Sequence, residues 1–169
     1  LSIYGARKFV RESYEKNDLI GKQLLIAYLI TKGHTIKKET FQEDYGVDIV
    51  TEYQNQTYMF EVEMKDKYNF VDKNTFPFDT VSFLGRKEKW KKNGYFYCII
   101  STKTNAAIFC HSDVIFDETY KQTIYIETID RNGLDSFYRV PKDICEFRTP
   151  ETFYKKNYKE VWDNLVLQN

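Results

Sequence analysis

Long apolar runs are missing from this chain: the longest, Leu24 to Ile30, is seven residues, against the roughly 20 that a membrane-spanning helix needs. No signal-peptide pattern is visible in a sequence that opens at Leu1. Cysteine is scarce. Cys98, Cys110 and Cys145 lie far apart with no CxxC pair, which argues against a zinc site and a disulfide framework and fits a reduced, cytoplasmic setting. Net charge is also absent, with 25 basic residues matched by 25 acidic ones. This balance counts against strong indiscriminate binding to nucleic acid, which is driven by phosphate neutralisation. The chain lacks GxSxG, GxGxxG and a phosphate-cradling glycine loop, so serine-hydrolase, dinucleotide and NTPase readings have nothing to stand on. There is no internal repeat, low-complexity segment or flexible linker.

What is present is a soluble globular composition: 17% aromatic, with 14 Tyr and 13 Phe, and 30% charged. A length of 169 residues predicts one domain with a core of its own. Abundant Lys, Asn, Ile and Tyr point to an AT-rich genome, bacterial or viral. Residues 18–32 carry apolar side chains around most of a helical circumference, with Asn17 or Asp18 as N-cap and Gly33 past the end. Strands are predicted at 34–39, 47–53 and 57–65, the last two joined as a hairpin through Gln54, Asn55 and Gln56. A loop over 66–78 leads to a helix predicted over 79–92, then to a buried strand at 95–101 and another at 106–110. Residues 111–150 alternate strand candidates such as 123–128 with polar loops, and 151–167 has the spacing of a closing helix.

Chemistry concentrates in Tyr45–Lys65, YGVDIVTEYQNQTYMFEVEMK. Alternation along the second strand puts Glu61, Glu63 and Lys65 on one face and Tyr58, Phe60, Val62 and Met64 on the other. By itself such a face reads as solvated. Asp48, arriving from the neighbouring strand, turns it into a candidate site for a divalent cation. Farther on, Arg86, Lys87, Lys89, Lys91 and Lys92 fall within seven residues, and Lys89-Trp90-Lys91 suits a nucleic-acid backbone groove. The plainer reading turns Trp90 to the core. His34 and His111 sit at element ends and read as structural.

The αβββαβ order, Gly46-Val47-Asp48-Ile49 at a strand start and Glu63-Met64-Lys65 at the end of the next strand resemble the PD-(D/E)xK nuclease superfamily over residues 18–101. The resemblance implies a restriction-endonuclease-like α/β core, a mixed sheet flanked by helices, followed by a β-rich extension (102–169) with the closing helix. It implies a Mg²⁺-dependent endonuclease, with Mn²⁺ as substitute, cutting DNA in preference to RNA. Asp48 and Glu63 would bind the metal and Lys65 would support the attacking water. Glu61-Val62-Glu63 fits a variant of the motif in which glutamate replaces lysine, and both registers stay open. Asp18 or Gln23 would add an outer contact from the first helix. Arg86, Lys87 and Lys89 would hold phosphate, and a homodimer would suit cutting of two strands. The chain has Val47 where the family's proline stands. The competing expectation is a non-catalytic nuclease-like domain that binds nucleic acid or a protein.

Overall fold

A computed structural model describes residues 3–4, 11–43, 45–127 and 132–169. Its centre is a six-stranded mixed sheet built from β2 (Thr35–Ile36), β3 (Ile49–Tyr53), β4 (Gln56–Lys65), β6 (Phe96–Ser101), β7 (Ala107–His111) and β10 (Glu146–Arg148). The strand order is β10-β7-β6-β4-β3-β2, and every neighbouring pair is antiparallel except β4 and β6. A smaller sheet aligns β5 (Thr80–Leu84), β9 (Asn132–Pro141) and β8 (Lys121–Glu127) antiparallel, with the two-residue β1 (Ile3–Tyr4) beside β8. No helix among the described residues is long and apolar enough to cross a membrane.

Three layers follow from the alternation along the central strands. Phe60, Val62, Cys98, Ile100 and Phe109 face α1 (Arg11–Thr31), whose Leu24, Leu25, Ile26 and Leu29 fill the helix side of the core. Burial of each such side chain contributes about 1.5–3 kcal/mol. Tyr97, Ile99, Ile108 and Cys110 point the other way, onto Val81, Phe83, Tyr138 and Val140 of the smaller sheet. α1 ends as expected at Gly33, whose φ of +95° lets Gly33 N–H reach Ile30 O and His34 N–H reach Leu29 O, a Schellman closure. Gln54 and Asn55, at φ +50° and +63°, close the β3–β4 hairpin. His34 joins the end of α1 to β3: its Nδ1 meets Thr51 Oγ1 at 2.8 Å and its ring stacks on Tyr53. His111 caps the short helix α2 (Ser112–Ile115) through Asp113 N–H.

Several sequence expectations are corrected. The segment 79–92 is helical only in its second half: β5 takes up Thr80–Leu84, and Gly85–Asn93 is a 3₁₀ helix rather than an α-helix. Val81 and Phe83 are fully buried while Thr80, Ser82 and Leu84 are half-exposed, a period of two that β9 rewards with pairing. The crossover between β4 and β6 therefore carries no α-helix. Among the described residues α1 already runs from Arg11, so Asp18 lies inside the helix and is not an N-cap. Arg11 and Glu15, an i,i+4 pair at 3.0 Å, bridge successive turns of its polar N-terminal stretch. Of the strand expected at 34–39, only Thr35–Ile36 forms, and Lys38–Phe41 is 3₁₀. The closing helix is two: α3 (Pro150–Phe153), capped by Thr149, and α4 (Tyr158–Gln168) after a break. β8 takes up the strand expected at 123–128 as far as Glu127, and residue 128 lies outside the described residues.

Candidate active site

β3 pairs with β4 only as far as Ile49 opposite Phe60, whereas β6 pairs with β4 from Phe60 to Lys65. Residues 61–65 of β4 therefore lack a strand neighbour on the β3 side. Asp48, the residue before β3, fills the first gap: its Oδ2 accepts Val62 N–H at 2.9 Å, replacing a ladder bond. That contact fixes the Asp48 carboxyl beside Glu61.

Gly46 makes the approach possible. It sits at φ +111°, and a Cβ there would stand 2.7 Å from the Trp90 ring, so the turn before β3 tucks directly under the Gly85–Asn93 segment. Trp90 packs against the core on the side of the smaller sheet, as its plainer reading had it. The same segment delivers Lys87, whose Nζ donates to Glu61 Oε2 at 2.8 Å. From the other layer α1 brings Asp18, and Gly21 allows close approach, since a Cβ on it would already touch Val62 and Met64 at 3.2 Å. A cavity of about 270 Å³ opens here, lined by Asn17, Asp18, Gly21, Val62, Glu63, Met64, Leu84, Arg86 and Lys87.

Glu61 is the electrostatic focus. Its side chain is 1% exposed, and Oε1 is buried without a hydrogen-bond donor. Burial, then the neighbouring Asp48 carboxyl within hydrogen-bonding reach, push Glu61 up to about 8, with Lys87 pulling the other way. Two ionised carboxylates offer each other only acceptors, so the pair needs a shared proton or an interposed cation. Asp18 is raised as well, by burial and then by the Asp48 charge, against the pull of Lys22 and Lys87.

The remaining expected residues divide. Glu63 borders the cavity, but its Oε1 accepts the Tyr97 hydroxyl at 2.6 Å. Lys65 is directed elsewhere: Nζ donates to Ser82 O at 2.7 Å and lies 4.6 Å from the Tyr68 ring centroid. Arg86 and Lys87 line the cavity, whereas Lys89 is exposed and rests over Trp90. The structure thus brings Asp48, Glu61 and Lys87 together, with Asp18 and Glu63 at the margin. Gln23 is buried in α1 and does not line the cavity. Among the described residues no three His, Cys, Asp or Glu side chains are grouped as a metal cage. The Lys87–Glu61 contact was missed by sequence reasoning, and its one signal was the basic run after Gly85. Comparison with family models, with curated proteins and with solved structures finds no match for this chain.

Proposed function

We propose that the protein is a metal-dependent nuclease of PD-(D/E)xK type that hydrolyses phosphodiester bonds, in DNA before RNA. The observation that carries this reading is buried Glu61, with a donorless oxygen, beside the half-buried Asp48 carboxyl, with an ammonium group on one side and a cavity at the margin. The hairpin with a third strand parallel to its second arm, backed by α1, supports a restriction-endonuclease-like core. The departure is the crossover, where β5 and a 3₁₀ turn stand in place of a helix.

The donor set fits Mg²⁺, which takes hard oxygens, retains several waters and needs only one or two carboxylates from a protein. Asp48 and Glu61 would hold it, which favours the Glu61-Val62-Glu63 register, with Lys87 rather than Lys65 as the amino group. When bound, the ion supplies Lewis-acid polarisation of the phosphodiester and activation of water. Val62 N–H orients the Asp48 carboxyl, so that its ligand geometry is set by the sheet rather than by a loop. Lys87 favours the ionised form of Glu61 and offers a point charge to a pentacovalent phosphate. Arg86, exposed at the cavity wall, would grip a flanking phosphate.

Plasmid and matched oligonucleotide DNA and RNA incubated with Mg²⁺ or Mn²⁺ test the reading. Wild type should cut, EDTA should stop it, and Asp48→Asn and Glu61→Gln should each lose on the order of 100-fold. Undiminished cutting by both variants removes the assignment. Because a cation must displace the Glu61 proton, Mn²⁺ affinity by calorimetry should rise from about pH 6.5 to about pH 8.5. The second reading, a non-catalytic nuclease-like binding domain, is favoured by one observation: the Lys87 ammonium already occupies Glu61 Oε2 at 2.8 Å. DNA binding that survives Asp48→Asn, in a protein that takes up no Mn²⁺, would establish that alternative.

A further inference from the structure

Cys110 and Cys145 are distant in sequence and adjacent in space. β10 pairs antiparallel with β7 through Glu146 opposite Phe109, and one step back along the same register sets Cys145 opposite Cys110. Cys145 has extended backbone, φ −97° and ψ 155°, so the register continues through it. Directly opposed residues of an antiparallel pair have Cα atoms about 4.5–5.5 Å apart, inside the roughly 4.4–6.8 Å span of protein disulfides. Both thiols are free, and both belong to the core cluster beneath the smaller sheet. We propose that Cys110 and Cys145 form a two-electron oxidation site that closes to an intramolecular cross-strand disulfide with a small azo or disulfide oxidant.

The two sulfurs already interact. Cys145 Sγ donates to Pro141 O at 3.7 Å, and the nearness of the two sulfurs lowers Cys110 and raises Cys145, burial adding to the rise, so Cys110 is the better nucleophile and Cys145 the resolving thiol. With diamide, the Cys110 sulfur adds to one nitrogen of the N=N bond. Cys145 then attacks the Cys110 sulfur and expels the hydrazine, which takes both thiol protons and both electrons. Cys98, buried on the helix face and pushed well up by burial, stands apart. The site is distinct from the carboxyl pair and does not depend on nuclease activity.

The folded full-length chain is treated with diamide, quenched, denatured without reductant and alkylated. Alkylated thiols should fall from three to one, peptide mapping should find Cys110 joined to Cys145, and dithiothreitol should restore all three. Cys98→Ser should give the same joined peptide. Retention of three free thiols, a crosslink that includes Cys98, or disulfides only between molecules would each overturn the proposal. Mapping on the wild type needs no variant to fold.

Discussion

Glu61 is an acid whose folded state holds its proton more tightly than the unfolded chain does, up to about 8 against an ordinary 4.5. Below 4.5 both states are protonated and the group costs nothing. As the pH rises from there, the unfolded chain ionises first, and the fold loses stability from this residue until the buried carboxyl itself ionises. Glu61→Gln keeps an acceptor for Lys87 but has no proton to lose. Urea melts should therefore show the variant gaining on wild type by a few kcal/mol between about pH 5 and pH 8, with the curves meeting in acid. Parallel curves across that range would mean that Glu61 is not the group that titrates. On the proposed nuclease reading, Lys65 and Lys87 separate stability from chemistry. Lys65→Met should cost about 1–2 kcal/mol, from its bond to Ser82 O and its place over Tyr68, yet cut DNA within a few-fold of wild type. Lys87→Met should lose on the order of 100-fold in cutting rate, and the opposite ranking of the two would restore Lys65 to the site. At this scale the acids were legible because strand alternation fixes which side chains share a face. The lysine was not, because its reach depends on a 3₁₀ turn that no periodicity announces.

Among the elements, the turn before β3 and the Gly85–Asn93 segment hold each other in place through Gly46 and Trp90. Gly46→Ala meets the indole at 2.7 Å and must adopt φ +111°, so a loss of about 2 kcal/mol or more is expected in thermal or urea unfolding. Trp90→Leu in the same chain should recover part of that loss, namely the clash but not the dihedral strain. No recovery would show that the indole is not what excludes a side chain. The strands with long apolar or alternating patterns, β3, β4, β6 and β7, were readable from sequence, as was the glycine closure of α1. β5 was not. DTVSFLG carries apolar residues at 81, 83 and 84, which suits a helix or a strand, and only pairing with β9, more than 50 positions away in sequence, decides. The polar first turns of α1 and the break between α3 and α4 were hidden for a related reason: both lie where apolar spacing carries no signal. The Cys110–Cys145 adjacency was invisible because β10 returns to β7 only after the whole of the smaller sheet.

For the whole molecule, zero net charge means that any grip on nucleic acid is local. If Arg86, Lys87 and Lys89 are the phosphate contacts, the slope of log K against log salt for duplex DNA should be near −3 (about −0.9 per contact). Arg86→Ala should make it shallower by about one. A slope steeper than about −6 would place the nucleic acid on a surface other than the cavity mouth. The stagger of β4, paired with β3 in its first half and with β6 from Phe60 onward, also orders events in time. A chain leaving the ribosome presents Asp48 and Glu61 early, but Lys87 and the Tyr97 neighbour of Glu61 come only with the crossover and β6. A polypeptide that stops at Lys65 holds both acids but neither the Lys87 ammonium nor the β6 strand that stand beside Glu61 in the fold.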